Sequence, residues 1–300
     1  MLYKFVRTKK IKVNKKRADI SYKLQENDVI DLYVKDEFLV TSSDGCAFKS
    51  LKPVLKIIYE DENILLADKK AGVIVHPDSR EEVNTLINHI TAYLYKKGEY
   101  NPELENSFAP ALCNRIDRNT GGIVICAKNA ATLRVINEKI KNNEIEKKYL
   151  CLVHGILEKK QAVLTAYHKK LADNNTVKIS GEYFPGLKTI RTKYKVLRER
   201  DDTSLVEAEL LTGRTHQIRA HFAHINHPLV GDSKYLKNQE QIKSDKKRGF
   251  FSQALYSYKI TFKFNKDGGE LCPPAGILDY LDGKSFAVDI KNIDFARDFL

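Results

Sequence analysis

The stretch CNRIDRNTGGIVICAKN, residues 113–129, sets one carboxylate, Asp117, between two guanidiniums, Arg115 and Arg118. Gly121 and Gly122 follow, then an apolar run from Ile123 to Ala127. Opposite charge close by favours the ionised carboxylate and typically lowers an acid's pKa by roughly 1–3. Such a group is a poor proton donor and a competent nucleophile or stabiliser of developing positive charge. A carboxylate of that kind suits attack at an anomeric carbon, where the sugar becomes cationic. Glycosidases generally use two carboxylates. This motif has no second one, so it points to a glycosidic bond whose leaving group needs little protonation. A structural Asp–Arg pair at the start of a strand is the plainer reading of the same residues.

Four histidines, His216, His221, His224 and His227, crowd into TGRTHQIRAHFAHINHP. The spacing is not that of a metal site: there is no HExxH pattern, no cysteine pair, and only Asp232 as a nearby acid. Arg214 and Arg219 would also bring cations to any bound metal. Arg214, His216, Gln217 and Arg219 instead offer long or planar hydrogen-bond donors in one turn-plus-helix unit, suited to phosphate, ribose or a carboxylate. A basic helix face over buried imidazoles is the alternative.

The elements that must position these groups can be read from periodicity. VLKIIYEDENILLADKK reads as two strands joined by an acidic turn, and NTLINHITAYLYKK as an amphipathic helix with Leu86, Ile87, Ile90 and Leu94 at helical spacing. GGIVICAK is a buried strand, NAATLRVINEKIKNN a helix, and KKYLCLVHG, TKYKVLRER, SLVEAELLTG and ALYSYKITFKF are strands. The absence of regular βα alternation argues for an α+β fold around a mixed, largely antiparallel sheet with flanking helices. Residues 236–249, LKNQEQIKSDKKRG, read as a charged mobile loop. At the N-terminus eight of the first 17 residues are basic and none is acidic. A short helix with Leu2, Phe5 and Val6 on one face, a strand IKVN, a basic turn KKR and a strand at DVIDLYV make a module over 1–40. A linker over 41–53 and a main domain over 54–300 complete the division.

The chain has 300 residues, a 42% hydrophobic share and a formal charge of +12. That supports a real core and excludes a disordered chain, while the excess of cations favours a polyanionic partner: nucleic acid, an anionic membrane surface or an acidic substrate. The five cysteines are odd in number and widely spaced, as in reduced cytosolic proteins. There is neither a long apolar run nor a signal-peptide pattern, so the expected location is the cytoplasm.

Taken in order, IIYEDENILLADKKAGVIVHP, NRIDRNTGGIVICAKN, KKYLCLVHG, LLTGRTHQIRAHFAHINHPLVGD and QALYSYKITF resemble the RluA-type family of RNA pseudouridine synthases over roughly residues 54–265. The first 40 residues resemble the alpha-L RNA-binding motif that often precedes this domain, without its first helix. The resemblance implies a pseudouridine synthase fold and isomerisation of uridine in structured RNA, ribosomal RNA first and transfer RNA next. It implies that Asp117 acts at the ribose C1′ of a uridine flipped out of the stack, with Arg115 holding the nucleotide out. Tyr149 matches the tyrosine that stacks on the uracil and could take part in proton removal. Arg214 matches the basic partner of the aspartate, and Val230 an apolar residue lining the base pocket. Lys9, Lys10, Lys12, Lys15, Lys16 and Arg17 are then expected to touch phosphates, positioning RNA without reading its sequence. No metal or cofactor is called for, and a monomer is the simplest expectation. The sequence departs from the family pattern at Asn114 (usually His), Gly121 (commonly Ser), Lys70 (usually Pro) and SQALYSY, in place of an LHA-type segment. A non-catalytic RNA-binding protein, a nucleoside hydrolase-like glycosidase and a membrane-surface binder are the competing classes. The first has no chemical reason to keep Asp117, Tyr149 and Arg214 together. The second should show paired carboxylates or an acidic calcium cluster, and the third bulky apolar anchors on a basic helix.

Overall fold

The structure, a computed structural model, describes residues 5–6, 8, 10–19, 21–33, 48–105, 108–170, 177–264, 276–297 and 299. The chain divides into two compact units, Met1–Ala47 and Phe48–Leu300.

In the smaller unit β1 (Ile11–Val13) pairs antiparallel with β2 (Lys16–Arg17) and with β3 (Ile30–Leu32). The run KKR is thus only partly a turn. Asn14 and Lys15 take left-handed backbone (φ 51° and 64°), so Lys16 and Arg17 fold back as a strand against β1. Ile11 and Val13 face inward. Phe5 and Val6 are helical, while Leu2 and Lys9 lie outside the described residues.

The larger unit is built on a mixed sheet of 11 strands. Its spine runs β10 (Val177–Ser180), β9 (Gln161–Lys170), β11 (Lys188–Arg200), β12 (Thr203–Leu210), β8 (Ile145–His154), β13 (Leu255–Phe262), β7 (Gly121–Ala127), β5 (Ile64–Lys69), β4 (Ile57–Glu60). β6 (Ala111–Leu112) pairs with β7, and β14 (Ser285–Ala287) with β13. All neighbours are antiparallel except β13 and β7. β7 is buried along its whole length, which is why GGIVICA reads as a continuous apolar run and not an alternating one.

α1 (Leu86–Lys97) starts at Thr85, whose side chain accepts from the Asn88 amide, and stops at left-handed Gly98. It lays Leu86, Ile90 and Leu94 on Leu65, Val124 and Cys126. α2 (Ala130–Lys141) and the C-terminal segments cover the opposite face of β5, β7, β8 and β13. α3 (Gln217–His224) packs Ile218 and Phe222 over Tyr149, Cys151, Tyr194 and Val206. Residues 48–53 belong to this unit: Phe48 is buried, with its ring against Tyr95 and Tyr100.

Residues 236–249 correct the sequence reading. They hold a helix, α4 (Gln239–Lys247), capped by the Asn238 side chain. Its one buried residue, Asp245, accepts hydrogen bonds from His154 Nε2 (3.0 Å) and the Gly231 amide (2.8 Å). An almost wholly polar sequence gives no sign of such an internal anchor.

Candidate active site

The centre of the sheet brings the motifs together. β13 and β7 run side by side with Ser257 opposite Gly122, and on its other edge Ser257 faces Tyr149 of β8. The loop carrying Asp117 leads directly into β7, so it ends two strands from Tyr149, about 10 Å across the sheet. Gly122 is required at this crossing. Its φ is +114°, and a Cβ there would lie 2.2 Å from the Ser257 carbonyl oxygen. Gly121 is matched to Tyr256, whose ring would lie 2.6 Å from an added Cβ, so the serine common at this position does not fit here.

Asp117 is approached by two side chains. Arg219 Nη1 donates to Asp117 Oδ2 at 2.8 Å, and His216 Nε2 stands 3.8 Å from the same oxygen. Oδ1 makes no hydrogen bond with any described residue. Arg219 is itself fixed by a bidentate pair: Nε and Nη2 donate to the two oxygens of buried Asp232 at 2.6 and 2.8 Å. Burial opposes the charge of Arg219, but Asp232 and Asp117 more than offset it and hold its pKa above the usual value. Beneath the loop the fully buried Lys69 donates from Nζ to the carbonyls of Lys70, Val73 and Arg118, at 3.1, 2.7 and 2.9 Å. Burial lowers the Lys69 pKa to about 8, against the pull of Asp117.

The partner of Asp117 is therefore Arg219, which corrects the assignment of Arg214. Arg214 lies in the turn before α3, is exposed, and makes no ion pair with Asp117, although it lines the same cleft. Five residues on, Arg219 has been carried by α3 onto the buried face. Arg118 likewise turns away, donating from Nε to the Gly72 carbonyl at 3.0 Å. Arg115 is exposed at the mouth of the cleft.

The remaining residues of TGRTHQIR build the support. His216 opens α3 in left-handed backbone (φ 53°), and its Nδ1 is bonded to the Tyr235 hydroxyl at 2.9 Å. Burial brings its pKa down to about 4, with Asp117 pulling the other way, so it is neutral at physiological pH. Buried Gln217 staples the turn to β11. Its Oε1 accepts from Thr212 Oγ1 and the Arg214 amide, and its Nε2 donates to the Arg191 carbonyl and Thr192 Oγ1.

Tyr149 is 5% exposed, and burial pushes its pKa up to about 12, so it is a neutral phenol that presents its ring to the cleft. The other apolar walls are Ile116, Leu210, Ile218 and Leu255. Val230 is not among them. It is sealed in the main core, bonded through its backbone to Leu152 and Ala254, and this corrects its placement in a base pocket. Asn114 accepts the Ile125 amide on its Oδ1 at 2.8 Å, a structural task. The cleft encloses about 60 Å³. That is far below the roughly 300–1,000 Å³ of pockets that enclose a ligand, and Arg115 and Arg214 both line it.

Lys69 has no role in the sequence reading, which offers His216 and Arg219 only as donors to a phosphate, ribose or carboxylate and Asp232 only as a nearby acid. Helical phase could have distinguished Arg219 from Arg214: Ile218 and Phe222 mark the buried stripe, and Arg219 lies beside it. In the smaller unit Lys10, Lys15, Lys16 and Arg17 are exposed, Lys12 is half-buried with its ammonium 4.8 Å from the Tyr33 ring centre, and no ion pair engages any of them among the described residues. No three His, Cys, Asp or Glu side chains among the described residues form a metal-binding group, and no described helix is long and apolar enough to cross a membrane.

The comparisons with known proteins place this sheet in a family. The RNA pseudouridylate synthase family pattern matches residues 63–224, and the chain belongs to that family. It is 35% identical to an uncharacterised RNA pseudouridine synthase of Mycoplasma genitalium, over 87% of this chain and 80% of the relative. It is 32% identical to ribosomal large subunit pseudouridine synthase C of Buchnera aphidicola subsp. Baizongia pistaciae, over 78% of this chain and 71% of the relative. The solved structure of human RNA pseudouridylate synthase domain containing 1 superposes with a TM-score of 0.56 at 22% identity, covering 82% of this chain and 98% of that one, and shares the fold. The protein is an RNA pseudouridine synthase.

Proposed function

We propose that the enzyme isomerises specific uridines of ribosomal RNA, with transfer RNA the second choice, and that Asp117 acts at the ribose C1′ of a flipped-out uridine. The observation that carries this reading is Asp117 itself: Oδ2 clamped by Arg219, Oδ1 free of hydrogen bonds, in a cleft shared with Tyr149. The clamp keeps the carboxylate oriented and lets it meet the positive charge that develops as the C1′–N1 bond breaks. Tyr149 supplies the packing surface on which the detached base turns. The proton that leaves C5 after the C5–C1′ bond forms is balanced by the one that the released N1 takes up, so the reaction is a net isomerisation. Arg115 and Arg214, at the mouth, hold the flanking phosphates while the base is extruded. The chemistry is an isomerisation and needs no redox cofactor. Residues 1–40 dock RNA through their basic strip, ahead of a catalytic domain that begins at Phe48 and not at residue 54, in a cytoplasmic monomer. The similarity to ribosomal large subunit synthases and the charge of +12 support ribosomal RNA.

Tritium release from ribosomal and transfer RNA labelled at uridine C5 tests this directly. Release from ribosomal RNA is expected, and its abolition by Asp117→Asn with RNA binding retained. Activity of Asp117→Asn near that of the wild type would remove Asp117 from the chemistry, and release from transfer RNA alone would change the substrate.

A further inference from the structure

A cavity of the catalytic unit lies beside the Asp117 cleft and is larger than it. It encloses about 780 Å³ on the other side of the loop 117–121, where Asn119 and Gly121 line it, and the two spaces also share Leu255. From Asp117 to Asn119 is two residues, a reach of at most about 7 Å. A group bound against Asn119 lies within a neighbouring nucleotide of the reacting one.

Its walls are unusual for a structural void. Phe250 packs against the main core with the Arg248 guanidinium 5.5 Å from its ring centre. The next residue, Phe251, is 77% exposed on the cavity rim. A polar side chain would serve as well there for folding, because nothing apolar covers the ring. Lys70 and Asn119 are also exposed on the wall. The two wall carboxylates are already engaged: Asp68 by Lys56 at 2.8 Å and by the Tyr256 hydroxyl, Asp294 by Arg297 at 3.0 Å. No unpaired acid on the wall repels a phosphate, while the exposed Lys70 attracts one. An exposed aromatic face beside a cation-bearing wall is how single-stranded nucleic acid is held, because every base has a face to stack.

We propose that this cavity receives an unpaired nucleotide of the substrate RNA adjoining the target uridine, stacked on Phe251 with its phosphate toward Lys70. This rests on the reading of the substrate as RNA and adds a second base site to it. The enzyme would then select uridines whose neighbour is also free of pairing.

The chain contains no tryptophan, so Phe251→Trp installs a single indole on the rim. An RNA stem–loop with unpaired uridines is expected to quench that indole, and a fully paired duplex of equal length to leave it unchanged. Phe251→Ala should weaken stem–loop binding roughly tenfold and leave duplex binding alone. Equal quenching by both RNAs, or a bound stem–loop that changes neither fluorescence nor its affinity for Phe251→Ala, overturns the proposal. Tritium release from ribosomal RNA by the wild-type enzyme is read separately. Quenching without release keeps the cavity and sinks the substrate reading, and release without quenching does the reverse.

Discussion

Charge is used in opposite ways by the two units. Around Asp117, cations are buried and fixed: Arg219 has 7% of its side chain exposed and meets two carboxylates, and Lys69 is spent on three carbonyls. In the basic strip of the smaller unit, Lys15, Lys16 and Arg17 are exposed and unpaired among the described residues. A buried charge must have partners, because desolvation is costly, and those partners fix its direction. An exposed one stays mobile, screened and non-directional. The first arrangement can stabilise one transition state. The second can only add affinity for polyanions.

Breaking the buried arrangement should have the largest effect. Arg219→Ala is expected to reduce kcat on the order of 10²–10³-fold, as for loss of one preorganised donor, whereas Arg214→Ala raises KM and leaves kcat within a few-fold. Single-turnover rates and RNA affinities measured on both variants decide between the two arginines. If Arg214→Ala has the larger effect on kcat, the clamp geometry is not the working one.

Asp232→Ala comes next. It strips Arg219 of its bidentate partner and should cost about 3–5 kcal/mol of stability, the usual penalty for breaking a buried pair. Denaturant unfolding measures that. A double-mutant cycle with Arg219 should show the two effects to be strongly non-additive.

The exposed arrangement should respond differently. The triple substitution of Lys15, Lys16 and Arg17 with alanine should leave kcat unchanged and make the slope of log affinity against log salt shallower by about 2–3. An unaltered slope would mean that the strip does not touch phosphate.

Much of this was legible in the sequence. β7 announces itself because seven successive residues are buried, and α1 because its apolar spacing and Gly98 agree. The Asp117 loop stood out because a lone acid among cations next to glycines is hard to explain structurally. What failed has common physical causes. TGRTHQIR contains two arginines, and motif order alone does not say which one the helix turns inward. Val230 is apolar in either a cavity wall or a core, and only packing tells them apart. Residues 239–247 form a helix because Asp245 is anchored by His154 and Gly231, contacts 91 and 14 residues away in sequence.

The smallest effect sharpens the comparison through pH. His216 caps, and His221 lies within, the helix that carries Arg219, and burial brings each down to about 4 from 6.5. His221 is bonded to Thr192 Oγ1 at 2.8 Å and feels the positive charge of His224 and His168. A histidine whose folded-state pKa lies below its unfolded value takes up its proton first in the unfolded chain. The stability it contributes is therefore complete above about pH 6.5 and is lost as the pH falls towards 4. Tm measured across that range should fall with acid, and less steeply in His221→Gln, which removes one of the two protonations without touching Asp117. Both histidines lie in the larger unit, so the same scan with residues 1–47 removed should keep the full acid slope. A slope that disappears with those residues would place the acid-sensitive contacts outside the buried cluster.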